Sequence, residues 1–494
     1  EGKKMGIKII LLIIFFAVMA AVGIYSRRHV TSVDGFVLGG RSVGPWLTAF
    51  AYGTSYFSAV VFVGYAGQFG WKYGIASTWI GIGNALIGSL LAWVVLGRRT
   101  KVMTQHLGSR TMPDFFGERY KSKSLKITAS VIVFVFLIPY TASVYNGLSR
   151  LFAMAFNIPY TWCVVTMAAF TALYVILGGY MATAINDFIQ GIIMLIGIVA
   201  VIAAVLNGQG GFMNAIAEMA KIPSDVPLTQ GQPGAFTSFF GPDPVNLLGV
   251  VLLTSLGTWG LPQMIGKFYA IKDEKSINTG TVISTLFAIV ISGGCYFLGG
   301  FGRLFDSAEI YNAETGAVVY DSIIPSMLSK LPDILIGIVV VLVLSASMST
   351  LSSLVLTSSS TMTLDLLKDN IMKEMSEKKQ IITMQILIVF FIVVSVVIAL
   401  DPPTFIAQLM GISWGALAGA FLYGLYWKGV TRAGVWAGFI AGVGITVSNM
   451  FIGYIASPIN AGAAAMVAGL VIVPLVSLVT PKLKKEDVDE IFTC

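Results

Sequence analysis

Residues 333–361 read DILIGIVVVLVLSASMSTLSSLVLTSSST. The run opens on one acid, carries no other charge, and exceeds the about 20 apolar residues that an α-helix needs to cross a bilayer. Its second half breaks the apolar pattern with Ser345, Ser347, Ser349, Thr350, Ser352 and Ser353, then with five more hydroxyl residues from Thr357 to Thr361. Ser and Thr return hydrogen bonds to carbonyls one turn back or knit neighbouring helices, which accounts for a few of them. A hard cation stripped of water needs several oxygen ligands gathered closely. Ser349, Ser352 and Ser353 fall on one helical face, with Ala346 one turn earlier. Hydroxyl and carbonyl oxygens together suit a monovalent cation.

Similar apolar runs fill the rest of the chain. They lie at about 7–25, 44–69, 74–97, 127–155, 160–178, 187–207, 246–266, 276–300, 333–361, 380–400, 404–427, 433–453 and 458–480, thirteen helices in all. The 494 residues are 56% hydrophobic and 11% charged, with a mean hydropathy of +0.84. Soluble domains are about 25% charged, so the expectation is one all-α polytopic membrane domain over 1–494 and no soluble appendage. Three scattered cysteines, Cys163, Cys295 and Cys494, point to neither disulfide nor metal chemistry, and His29 and His106 are the only histidines. No nucleophile–base pair or metal constellation stands out, and no enzyme is expected.

The net charge of +7 comes from basic residues at the ends of apolar runs instead of on one patterned face, so nucleic acid is not the expected partner. If alternate loops share a side, the segments 26–43, 98–126, 267–275, 365–379, 428–432 and 482–485 hold 23 of the 31 Lys and Arg. The positive-inside rule puts that side, and the C-terminus, in the cytoplasm. Thirteen helices then place the N-terminus outside, where Lys3, Lys4 and Lys8 sit against the rule. The absence of an Asn-x-Ser/Thr sequon fits a bacterial protein in the inner membrane. The outer segment 208–245 is rich in Gly and Pro and reads as a turn-rich loop with a short helix near 212–221.

Two spans carry helix-weakening residues at mid-length: Gly53-Thr54-Ser55 in the second and Gly257-Thr258-Trp259-Gly260-Leu261-Pro262 in the seventh. They are five helices apart. Interruptions at matching positions of two halves point to an inverted-repeat transporter with unwound backbone at the membrane midplane; Gly and Pro also occur in membrane helices simply to permit close packing. The repeats would cover about 44–207 and 246–427, with 7–25, 433–453 and 458–480 peripheral. Asp187 stands where the sixth span begins, after the turn Gly178 to Asn186. An intramembrane carboxylate is a functional suspect, and a helix-capping acid is the other reading.

These features together resemble the sodium/solute symporter family over nearly the whole chain, most strongly its proline-carrying members. The landmarks are Phe36-Val37-Leu38-Gly39-Gly40-Arg41-Ser42-Val43-Gly44-Pro45, Leu177-Gly178-Gly179-Tyr180 with Asp187, the Ala346–Ser353 run, and Leu425-Tyr426-Trp427-Lys428-Gly429-Val430-Thr431-Arg432-Ala433-Gly434. The resemblance implies thirteen helices with a five-plus-five inverted-repeat core of the LeuT type, and sodium-coupled uptake of a small organic solute by alternating access. It implies a first sodium site made by the carbonyls of Thr54, Phe57 and Ala346 and the hydroxyls of Ser349 and Thr350. A second pattern seen in some members would use Asp187, Ser349, Ser352 and Ser353, giving two sodium ions per solute.

For the solute, Tyr140 matches a tyrosine of the family pocket, and Tyr56, Thr254, Thr258, Trp259, Gln263 and Gln408 are expected around the same cavity. The chain departs from the proline carriers there. Tyr56 replaces an acid in the second-span break, and Thr254 and Thr258 replace an aromatic pair. Sodium, the solute and the lipid bilayer are the expected partners, with no obligate protein partner in evidence. A proton-coupled or uncoupled carrier, and a solute sensor, are the alternatives. Serine hydroxyls do not titrate near neutrality and so favour sodium, while the segment 481–494 is too short for a sensor's output domain.

Overall fold

The computed structural model describes residues 2–157, 159–400, 416–456 and 458–494, and among these every extended regular element is a helix. The helices that matter below are α1 (Gly2–Ser26), α2 (Pro45–Tyr56), α3 (Lys123–Ser143), α4 (Tyr160–Gly208), α5 (Pro244–Leu256), α6 (Pro262–Ala270), α7 (Glu274–Ala288), α8 (Asp333–Ser360) and α9 (Glu377–Leu400). Their starts follow local chemistry. Pro45, Pro244 and Pro262 stand at first positions, where a missing N–H costs nothing. Asp243 and Asp273 cap α5 and α7 by accepting from the N–H of Asn246 at 3.3 Å and of Ser276 at 2.7 Å.

Nine described helical runs are long and apolar enough to cross a membrane, or ten with the bent pair α5–α6. The thirteen expected crossings exceed that count. Two of the nine are double length: Val60–Leu107 has 48 residues and Tyr160–Gly208 has 49. At 1.5 Å per residue each would reach about 70 Å, more than twice the about 30 Å hydrocarbon core. Gly74 and Gly179, at φ 63° and 56°, turn the chain within them. The helix α2 is itself short, 404–415 of the expected eleventh span lies outside the described residues, and the fourth span divides into α3 and Asn146–Phe156.

The outside of the bundle is apolar and the inside polar, the reverse of a soluble protein. Ile14, Ile196, Val397 and Ile440 are more than half exposed, whereas Asp187, Asn84, Gln190 and nearly all the α8 hydroxyls are buried. Only lipid makes such a surface favourable. The most extensive helix pair is α4 with α8, and α2 packs against α4, α7 and α8, so the hydroxyl-rich half of α8 faces the end of α2.

The basic segments share one end of the bundle. Arg110 pairs with Asp34 at 2.6 Å, Arg98 with Glu274 at 2.9 Å, and Lys428 with Asp489 at 3.2 Å. Lys126 contacts Asp114 at 3.0 Å and also Asp369, and Arg432 donates to the Tyr120 carbonyl at 2.8 Å. At the other end, the short helix expected in 208–245 is Phe212–Ala220. Arg303 grips Asp225 of that loop at 2.9 and 2.8 Å and lies over the rings of Trp71 and Phe236. Lys8, which sat against the charge rule, is buried with its ammonium 3.4 Å from Asp333 and 3.0 Å from the Ala155 carbonyl.

Three expectations need correction. The second-span break falls at Phe57–Ser58, not at Gly53–Ser55, which remains helical. Gly53 serves packing instead: a Cβ there would meet the Phe287 ring at 2.3 Å. The turn expected over 178–186 is helical apart from Gly179 (φ 56°, ψ −137°), so Asp187 lies well inside a helix and caps nothing. Lys267, counted as a loop cation, belongs to α6 and is buried.

Candidate functional site

Helix α2 ends at Tyr56, and the last carbonyls of a helix have no partner in their own helix. The Thr54 carbonyl therefore points across to α8. There it accepts from the Ser349 hydroxyl at 3.1 Å and from the Thr350 hydroxyl at 3.5 Å. The same two hydroxyls also reach back to the Ala346 carbonyl, each at 3.1 Å. Four of the five expected first-site ligands thus converge, all fully buried or nearly so. The fifth, Phe57, lines a small cavity with Ala346 and Ser58. Hydroxyls keep two lone pairs and can rotate, so two carbonyls and two hydroxyls can turn from one another toward a cation between them.

The second expected position is organised differently. Ser352 donates to the Ser349 carbonyl at 3.0 Å, and Ser353 exchanges a hydrogen bond with Ser55 across the α2–α8 gap at 2.9 Å. Both carboxylate oxygens of Asp187 are buried without a hydrogen-bond partner. The charged neighbour of Asp187 is Lys267, although the two do not approach within the 4 Å of an ion pair. The Lys267 ammonium donates to the Ser353 hydroxyl at 2.9 Å and stands 5.2 Å from the centre of the Tyr180 ring. Sequence reasoning missed Lys267 because charge counting places a cation near a span end in the adjoining loop.

A small cavity opens beside the breaks of both repeats. Tyr56, Tyr140, Thr254 and Thr258 line it, as expected. Trp259 does not: its indole N–H donates to the Ile87 carbonyl at 3.3 Å. Gln263 faces a separate cavity with Lys267, Arg110 and Ser353, toward the basic end. Gln408 lies outside the described residues.

The lining also includes Ser55, Ser58, Tyr65, Asn84 and Tyr296, none of them expected. Asn84 carried a readable signal, a lone amide in an apolar run. Its carbonyl accepts from Thr254 at 2.8 Å and Ser255 at 3.0 Å, tying the third span to α5. The Tyr56 hydroxyl donates to the Thr254 carbonyl at 2.7 Å. Among the described residues, no acidic or basic side chain lines the cavity.

Residues 36–442 match the Sodium:solute symporter family. The sodium/proline symporter of Staphylococcus aureus (strain NCTC 8325 / PS 47) is 30% identical over 499 residues, spanning 97% of this chain and 93% of that protein. The sodium/proline symporter of strain JH9 aligns with the same identity and coverage. Among solved structures, a Na+-coupled sialic acid symporter in a substrate-bound outward-open state is similar with a TM-score of 0.77 at 14% identity, covering 97% of this chain and 99% of that one. The nucleobase-cation-symport-1 family transporter Mhp1, closed on bromovinylhydantoin, gives 0.54 at 12% identity, covering 92% and 97%. At these identities the likeness is one of fold, an all-helical membrane transporter with an inverted-repeat core of the LeuT type. With a family match over most of its length and relatives aligned from end to end, the chain belongs to the sodium:solute symporter family.

Proposed function

We propose that the sodium coupled to transport sits between the Thr54 and Ala346 carbonyls and the Ser349 and Thr350 hydroxyls, with the Phe57 carbonyl completing the set. Sodium-coupled symport of a small solute is the activity of the family. The observation that carries the site assignment is the convergence of four oxygens from two helices on one buried point, each hydroxyl 3.1–3.5 Å from both carbonyls. One of the four, the Thr54 carbonyl, is on the broken end of α2 and the other three are on α8, so a cation there fastens α2 to α8. A cation also belongs near Asp187, whose buried carboxylate needs a counter-charge.

The solute occupies the cavity of Tyr56, Tyr140, Thr254 and Thr258 and carries no net charge. Among the described residues, hydroxyls and the Asn84 amide line that cavity without a charged side chain to neutralise an ion. Zwitterionic amino acids qualify. L-Proline comes first among them because the relatives are named sodium/proline symporters, although Tyr56, Thr254 and Thr258 set this pocket apart. The basic end faces the cytoplasm of a bacterial cell, so the C-terminus is inside and transport runs inward.

The test is a thermal-unfolding screen of the purified protein against amino acids, sugars, carboxylates and vitamins, with sodium or with choline. A net-neutral solute that stabilises only in sodium supports the reading; a charged solute that stabilises equally in choline refutes it.

A further inference from the structure

The α8 hydroxyls and Asp187 form the pattern expected to hold a second sodium, yet one of those hydroxyls already has a cation on it. The Lys267 ammonium donates to Ser353 at 2.9 Å, and it is buried with 3% of the residue exposed. Its positive charge lies over the Tyr180 ring at 5.2 Å, a cation–π placement. Asp187 is fully buried, makes no hydrogen bond through either carboxylate oxygen, and has Lys267 as its charged neighbour. A buried carboxylate is strongly unfavourable without a positive charge nearby. A second free cation beside the ammonium would leave a surplus positive charge in a water-poor interior, which is as unfavourable as the lone carboxylate.

Lys267 is on α6, the half-helix just beyond the break of the second repeat, while Ser353 is on α8 and Asp187 on α4. Ser353 in turn bonds Ser55, a lining residue of the solute cavity. The ammonium is therefore one hydroxyl removed from that cavity's wall. It also lines the cavity toward the basic end together with Arg110 and Gln263, whose amide atoms are both buried without partners.

We propose that Lys267 is a tethered cation seated at the second ion position, in place of a free sodium, so that one sodium is bound per chain. This rests on the first-site reading above, and the two fail differently. A neutral side chain at 267 would take the positive charge off Ser353 and leave Asp187 uncompensated, which recreates an oxygen-rich, negatively charged vacancy for a second sodium. The inference concerns which cation fills the position and requires no proton transfer.

The experiment is equilibrium binding of radioactive sodium to the detergent-purified chain, at constant ionic strength in choline, read as ions per chain at saturation. Wild type should bind one, Lys267→Met two, and the double variant Lys267→Met/Asp187→Asn one again. A purely structural lysine would not produce a gained site. If Lys267→Met does not fold, Lys267→Gln, which keeps a donor for Ser353, replaces it with the same expected count of two. Two sodium ions in wild type, or one in the neutral lysine variants, would overturn the inference and leave the first site standing. No sodium bound to wild type would instead overturn the first-site reading along with it.

Discussion

Replacing Ser349 with alanine isolates the first sodium site, because the hydroxyl touches both carbonyls and little else. In the ion-free protein Thr350 still reaches the Ala346 carbonyl at 3.1 Å and the Thr54 carbonyl at 3.5 Å. The loss there is thus about 1 kcal/mol, the ordinary net value of a hydrogen bond. With sodium bound, the variant loses one oxygen from a charged centre, a contact of about 1.5–3 kcal/mol, or roughly a ten- to hundredfold weaker ion. Sodium at about 100 times its dissociation constant stabilises wild type by about 2.7 kcal/mol. A hundredfold loss of affinity leaves the same concentration at the dissociation constant, where the gain is about 0.4 kcal/mol. Thermal unfolding in detergent, comparing sodium with potassium and choline chloride at equal ionic strength, reads both numbers. The sodium-specific shift should be clear in wild type and nearly vanish in Ser349→Ala, while the melting temperatures in choline stay close. An undiminished sodium shift in the variant, or equal stabilisation of wild type by all three salts, would refute the assignment.

The other predictions concern the pocket, the turn and the topology. Asn84→Ala removes the acceptor shared by Thr254 and Ser255. Thr254 keeps the Val250 carbonyl at 2.8 Å, so the stranded hydroxyl is that of Ser255. At about 1–3 kcal/mol for a stranded buried group, the solute found by the screen should bind about tenfold more weakly at unchanged sodium affinity; a parallel loss of sodium affinity would mean that the whole core had shifted. Gly179→Ala places a Cβ 2.6 Å from the Phe36 carbonyl at φ 56°. It should cost about 1–3 kcal/mol or more, seen as a lower melting temperature than that of Gly249→Ala, where a Cβ meets nothing within 4 Å. Single cysteines added to a background lacking Cys163, Cys295 and Cys494 should be protected from impermeant reagents in whole cells within 98–126 and labelled within 208–245. Labelling of the first segment from outside would invert the orientation.

The parts of the fold legible in the sequence were those that a bilayer writes in composition. Gly and Pro favour an unwound segment, and Gly257 to Pro262 marks the α5–α6 bend of 56° directly. A polar cluster inside an apolar run is costly enough to be rare, which made Ser349, Thr350 and Asp187 stand out. What composition does not encode is depth and direction. Gly53 read as a weak point of the second span, but it is a contact surface for the Phe287 ring, and the chain unwinds at Phe57–Ser58, whose identities give no warning. Lys267 near a span end reads as a loop charge whether it faces water or is buried on Ser353. Trp259 and Thr258 are adjacent in sequence, yet the helical turn sends one to the Ile87 carbonyl and the other to the cavity.

Sodium-driven accumulation in proteoliposomes tests the central claim most directly. With L-proline and the net-neutral hits of the screen as labelled solutes, an inward sodium gradient should drive uptake above equilibrium in wild type, and Ser349→Ala should reduce it to passive leak. An inward proton gradient without sodium should drive none. Equal accumulation under the proton gradient, or full sodium-driven uptake by Ser349→Ala, would contradict the account.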